Sequence, residues 1–367
     1  MTIEKIGANK NEIDTPAVCI DLDRMESNIS RMVGICQENG ISWRPHSKCH
    51  KSPQIGRKLV DAGALGITCA KLGEAEVLAA AGIPELLIAN LVVGPRKMER
   101  LVELRKIADP VICADHIDQV RGYSEAMAAA GLELRVIAEL DIGLDRVGVA
   151  PLGPAVELCQ AINDAPGLKF AGIMGYEGHL LTIEDEDEKQ KQIHAALDLL
   201  VQTVGMLEEK GLSCDIVSCG GTGCYPITAT HKGITEMQAG GAIFMDAFYQ
   251  TKCGIDDLQM AMTVVATVVS RPTPDRAIID AGRKTMAVDS ATPQCVSHDN
   301  VEPTRFSAEH GELQLSGDLV GGLPIGTRVE IIPGYSDMTT VLHDQLYAFR
   351  GDTLEEIFEM PGRGRVQ

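Results

Sequence analysis

The chain has 367 residues, 45% of them hydrophobic and 23% charged, and a formal net charge of −19. Its length predicts about two domains at roughly 150 residues each, and its negative charge argues against nucleic acid and anionic membranes as partners. No apolar run approaches the roughly 20 residues that span a bilayer; Met1 to Lys10 carry charges without an apolar stretch and small-residue cleavage site, so no secretory signal is expected and a cytoplasmic location is the default.

Eleven cysteines, an odd number with no Cys-x-x-Cys pair, predict reduced thiols rather than a disulfide framework or a structural zinc site. A small molecule is the expected partner. If that molecule or a cofactor is anionic, local backbone donors and a few placed cations must hold it against the overall field.

Along the chain, short apolar runs alternate with amphipathic stretches. Strands are predicted at 64–69, 85–90, 109–114, 134–140, 172–175 and 216–219, and helices at 25–40, 71–82, 95–108, 116–131, 151–165 and 187–211, several closing on glycine. Strands apolar on both faces belong in a parallel sheet, and about eight βα units fit a closed (β/α)8 TIM-type barrel, with an open doubly wound sheet as the alternative. The acidic run Glu184 to Glu188 is read as the start of a helix, where carboxylates complement the dipole. After Gly254 the texture turns to strands at 260–270, 276–280, 312–314, 328–332, 339–342 and 345–350. The predicted organisation is an α/β barrel over 22–254 and a β-rich C-terminal domain over 255–367, with residues 1–21 expected to pack with the latter.

Several predicted strand ends carry chemistry. Arg44-Pro45-His46-Ser47-Lys48-Cys49-His50-Lys51 crowds three cations and two imidazoles into eight residues. Neighbouring positive charge and partial burial depress a lysine's pKa, and a neutral amine there suits Schiff-base chemistry; a solvated basic loop is the bland alternative. Ser218 to Gly223 and Ala239 to Ala242 are glycine-rich ends late in the repeat, where barrels commonly bind phosphate. Glu139 to Gly148 ends another strand and offers Arg146, and Gly175 to His179 supplies Tyr176, Glu177 and His179. For Arg146 a surface salt bridge, and for His179 a structural hydrogen bond, are the competing readings.

On these residues the chain resembles the D-threonine aldolase and D-serine dehydratase family, whose barrel is of the alanine racemase type (fold type III). The resemblance runs from Asp14-Thr15-Pro16-Ala17 to Gly351, and Arg44 to Lys51 match every fixed position of the motif Arg-Pro-His-x-Lys-x-His-Lys. It implies that Lys48 binds pyridoxal 5'-phosphate covalently and that His46 belongs to the same cofactor site. It further implies that Arg146 lies near the cofactor's phenolic oxygen, that Tyr176 lies near its ring nitrogen, and that Gly221, Thr222, Gly223, Gly240, Gly241 and Ala242 cradle its phosphate. It also implies a homodimer in which the β domain of one subunit helps to close the barrel mouth of another, which makes Tyr335 and Asp337 candidates for a neighbour's site.

The sequence departs from the family at two positions. The aldolases and dehydratases close with Pro-x-His-x-Asp or Pro-x-His-x-Cys, whose last residues bind a divalent metal (manganese, magnesium or zinc). Here the segment is Pro333-Gly334-Tyr335-Ser336-Asp337, so Asp337 is kept but a phenol, a poor ligand, replaces the histidine. Thr182 stands where the aldolases place a base for the substrate hydroxyl, and His179 or Glu177 is the expected substitute. The resulting expectation is a lyase that cleaves a D-3-hydroxy amino acid to glycine and an aldehyde. A racemase or epimerase using Lys48 with His179 or Tyr335 is the second reading, a dehydratase-like ammonia-lyase the third, and a cofactor carrier without turnover the last.

Overall fold

The computed structural model describes residues 5–367. It divides into two compact units: Arg31–Gly240 with Pro361–Gln367, and the described part of Met1–Ser30 with Gly241–Met360.

In the first unit the predicted βα alternation is realised by local signals. The helix Pro95–Ile107 starts with proline in its first turn, and Ile117–Ala130 is opened by a His116–Gln119 capping box and ended by Gly131 in the left-handed conformation. Asp185 caps Glu186–Glu209 by accepting from the Glu188 amide, so the acidic run is a helix start, as expected. Among the described residues, eight strands run parallel in the spatial order Ser42–Trp43, Glu236–Met237, Ile216–Cys219, Leu168–Met174, Leu134–Glu139, Val111–Ala114, Leu86–Leu91 and Ile67–Cys69. The two ends of this series meet. His46 bridges Thr68, the Leu65 amide donates to the Trp43 carbonyl at 2.8 Å, and the Thr68 amide donates to the Pro45 carbonyl at 3.0 Å. The sheet therefore closes as the predicted TIM-type barrel rather than an open sheet. Val111–Ala114 is buried at every position, and Leu87, Val111, Cys113, Ile137 and Met174 share one apolar cluster, which is why these strands show no alternation.

The second unit is the strand-rich one. Its nine-stranded sheet runs Val301–Phe306, Gly311–Leu315, Arg276–Ile279, Met262–Thr273, Ala17–Asp21, Gln345–Arg350 and Thr353–Glu359, with Arg328–Ile332 also pairing Met262–Thr273, and Gln294–Cys295 on its far side. Ala17, Cys19 and Val265 pack with Phe349 and Leu354. Of the strand expected at 339–342, Thr339 and Thr340 instead end the helix Ser336–Thr340, and Val341 and Leu342 form the turn after it. A distant acceptor fixes the start of this helix, since the Ser336 amide donates to Asp246 Oδ2 at 2.7 Å, and within it Thr339 Oγ1 donates back to the Tyr335 carbonyl at 2.8 Å. No disulfide joins any of the eleven cysteines, nine of which are buried. No described helix is long and apolar enough to cross a membrane.

Candidate active site

The strand Ser42–Trp43 runs directly into the cationic motif, and its three cations meet different fates. Arg44, only 2% exposed, donates from Nε and Nη2 to the Glu236 carboxylate at 2.9–3.1 Å and from Nη1 to the Glu85 carbonyl at 2.5 Å. Lys51 forms an ion pair with the fully buried Glu74, whose other oxygen accepts from the Ala70 amide at 2.6 Å. Lys48 lies between them on the short 3-10 turn Ser47–Cys49, half-buried.

Both histidines of the motif are held neutral. Burial, reinforced by Lys48, Lys51, His50 and Arg146, keeps the His46 ring well below its ordinary pKa. Its Nδ1 accepts from the Lys48 amide at 3.3 Å, which leaves the proton on Nε2. For His50, burial and then Lys51 depress the pKa to about 3, while Nδ1 accepts from the Ser52 amide at 3.1 Å. Gly240 lies against this turn so closely that a Cβ there would come within 2.3 Å of the His46 carbonyl oxygen.

The strand Leu134–Glu139 delivers Glu139, a buried carboxyl whose pKa burial raises, and Arg146 approaches it at 3.5 Å. One Glu139 oxygen has no hydrogen-bond partner. The half-exposed Arg146 guanidinium lies 5.9 Å from the centre of the Tyr176 ring.

Tyr176, Glu177 and His179 follow the strand Leu168–Met174 and separate. The Tyr176 ring occupies space that side chains at Gly178 and Gly221 would fill, since Cβ atoms there would lie 2.4 and 2.8 Å from its atoms. His179 is exposed, beside Gly143. Glu177 turns inward and is fully buried: it accepts from the Gly220 amide at 3.3 Å, Cys224 Sγ at 3.1 Å and Thr228 Oγ1 at 2.5 Å. No oxygen of Glu177 is presented to solvent, so the sequence expectation of a mouth-facing base finds no support in its placement. Gly221, Thr222 and Gly223 form the loop that leaves the strand Ile216–Cys219, beginning at Gly220 with φ +79°. Thr222 is 2% exposed, yet its hydroxyl has no protein partner.

The remaining predicted residues lie in the strand-rich unit. Gly241 and Ala242 belong to the 3-10 turn Gly241–Ile243, with Gly241 packed on the Tyr249 ring. Tyr335 Oη donates to Asp337 Oδ2 at 3.0 Å, and its ring packs edge-on against Phe248 and Tyr249 at centroid distances of 5.5 and 5.9 Å. Asp246 accepts from the Tyr249 and Ser336 amides, and burial raises its carboxyl to about 7.

Comparison with known proteins accords with this geometry. The alanine racemase N-terminal domain pattern matches residues 20–247, and a putative serine dehydratase domain matches 261–349. The chain belongs to the alanine racemase N-terminal domain family. Within it, the chain is 33% identical to a D-threonine aldolase from Arthrobacter sp, over 96% of this chain and 93% of that protein. A 3-hydroxy-D-aspartate aldolase of Paracoccus denitrificans is 32% identical over 98% and 94%. The solved D-threonine aldolase from Filomicrobium marinum superposes with a TM-score of 0.96 at 37% identity, covering 99% of both chains.

The barrel mouth fits the pyridoxal phosphate that this family uses. A buried hydroxyl without a protein partner at Thr222, on a loop flanked by Gly221 and Gly223, and a half-buried amine at Lys48 are complementary to a phosphate ester and an aldehyde. A metal does not fit the Tyr335–Asp337 segment. The phenol is hydrogen-bonded to the carboxylate, His343 Nε2 is 2.7 Å from the Thr285 carbonyl, and no group of three or more His, Cys, Asp or Glu side chains suited to a metal occurs among the described residues.

Sequence reasoning missed Glu236, Glu74, Cys224 and Thr228. Each is an isolated residue whose importance comes from a partner distant in the chain, and only the folded contacts reveal it.

Proposed function

We propose that the chain is a pyridoxal-phosphate-dependent lyase that splits a D-3-hydroxy amino acid into glycine and an aldehyde. The observation that carries this reading is Lys48 placed between two ion-paired cations, beside a histidine held neutral. In this reading Lys48 holds the cofactor, while Arg146, Tyr176 and His46 orient its ring. Gly221, Thr222, Gly223 and Gly240 receive its phosphate, with Gly241 and Ala242 assigned to the same task by the family resemblance.

When bound, the cofactor supplies an electron sink for negative charge at the substrate's Cα. The residues govern which bond breaks. His179, exposed on its turn, takes the proton of the β-hydroxyl; the Cα–Cβ bond then breaks, the aldehyde leaves, and Cα gains a proton to give glycine. In the second reading, a racemase, Tyr335, whose hydroxyl donates to Asp337, would be a second proton carrier. A dehydratase needs help for departing hydroxide, and the Tyr335–Asp337 pair offers no metal set for that purpose. A cytoplasmic homodimer acting on a free amino acid completes the proposal.

Incubation with D-threonine, D-serine and D-alanine separates the readings. Glycine with acetaldehyde from D-threonine is the expected result. Ammonia with a keto acid would replace the proposal with dehydration, loss of optical rotation with racemisation, and no product from any amino acid with a carrier role. Light scattering of the purified protein tests the dimer.

A further inference from the structure

We infer that Glu177 is a positioning residue that sets the shape of the phosphate-binding loop from beneath. The inference rests on the proposed cofactor reading and assigns Glu177 a role that neither composition nor family motif suggested.

Three groups donate to its carboxylate, and they bracket Thr222. The Gly220 amide lies where the loop leaves the strand, Cys224 Sγ where it ends, and Thr228 Oγ1 at the close of the following helix Tyr225–Thr228. The loop is also tied to itself, as the Cys224 amide donates to the Gly221 carbonyl at 3.2 Å. On its other side Gly221 abuts the Tyr176 hydroxyl. One carboxylate thus holds both feet of a loop whose middle residue keeps a buried hydroxyl without a protein partner. A carboxylate with two acceptor oxygens serves all three donors; an amide of the same shape offers one acceptor oxygen, so the Gly220 amide or the Cys224 and Thr228 side chains lose a charged acceptor and the latter two must turn to accept.

The charge argument makes the sign of the test informative. A carboxylate near a bound phosphate repels it, so if Glu177 acted through charge alone, Glu177→Gln would tighten cofactor binding. If it acts by fixing the loop, the same substitution weakens binding. Loss of a buried charge-assisted hydrogen bond of this kind corresponds to a change of about tenfold in affinity.

The experiment titrates the protein, stripped of cofactor, with pyridoxal phosphate and separately with pyridoxal, which lacks the phosphate, and records the absorbance of the adduct. The expected result for Glu177→Gln is about tenfold weaker pyridoxal phosphate binding, unchanged pyridoxal binding, and a shifted phosphorus resonance in the reconstituted holoenzyme. Thr228→Val, which removes one donor and leaves the carboxylate, is expected to act in the same direction and serves if Glu177→Gln does not fold. Equal losses for both ligands, no change, or tighter binding would overturn the inference while leaving the proposed function intact. Failure of the unmodified protein to take up pyridoxal phosphate would remove both.

Discussion

Arg44 and Glu236 form a buried ion pair across the neighbouring strands Ser42–Trp43 and Glu236–Met237, with both side chains 2% exposed. The pair is bidentate, and Arg44 spends a further N–H on the Glu85 carbonyl, so the charges are compensated where water is excluded. Arg44→Met strands the Glu236 carboxylate and is expected to destabilise the barrel by about 3–5 kcal/mol in urea unfolding. Arg44→Met with Glu236→Leu removes both charges and is expected to cost distinctly less. Equal losses for the single and double variants would show that side-chain volume, not charge, matters here.

His50 makes stability depend on acidity. Its folded pKa is depressed to about 3 from an ordinary 6.5, so between these values the unfolded chain holds a proton that the folded protein does not. Stability contributed by the neutral ring is therefore present above pH 6.5 and lost as pH falls toward 3, by about 1.4 kcal/mol per unit. Asp246, raised to about 7 from 3.8, works in the opposite sense, since the folded protein holds the extra proton and stability falls as pH rises through that window. The overall slope mixes such terms, but a difference isolates one of them. His50→Gln is expected to flatten the acid-side dependence of urea unfolding relative to the unmodified protein by about 1.4 kcal/mol per unit; parallel curves would contradict the assignment.

The barrel was readable because its helices repeat at three and four residues over long windows and its inner strands are apolar throughout. Ser42–Trp43 and Glu236–Met237 were not, since a two-residue strand leaves no periodicity to detect. The helix at Ser336 was misread because threonines favour strands, while the bond that fixes its start comes from Asp246, 90 positions earlier. At the site, Lys48 and the glycine loops announce themselves by local crowding. The direction in which Glu177 points does not, because a polar residue at a strand end has the same sequence appearance whether it faces solvent or the layer beneath the loop.

The Tyr335–Asp337 contact leads to a prediction about metals. The phenol donates to one oxygen of the Asp337 carboxylate, and the pair offers a divalent cation one carboxylate and a neutral phenol, a poor donor set. Chelation is expected to leave activity unchanged. Tyr335→His replaces the donor by an imidazole beside Asp337 and is expected to create manganese binding measurable by calorimetry where the unmodified protein has none. Activity lost on chelation and restored by manganese in the unmodified protein would show that Asp337 recruits other ligands.

Two lysines three positions apart compete for the cofactor, and their surroundings distinguish them. Lys51 is ion-paired to the buried Glu74, and deprotonating its amine would leave that carboxylate buried beside a neutral partner, at a cost of several kcal/mol. An imine at Lys51 would have to break this ion pair first. Lys48 is half-buried on the turn Ser47–Cys49, at the place the family motif gives to the cofactor lysine. Borohydride treatment of the holoenzyme is expected to fix the cofactor on the peptide containing Lys48. Lys48→Ala should abolish that adduct with little change in unfolding, whereas Lys51→Ala should keep the adduct and lower stability. An adduct that survives Lys48→Ala and disappears in Lys51→Ala would reverse the assignment.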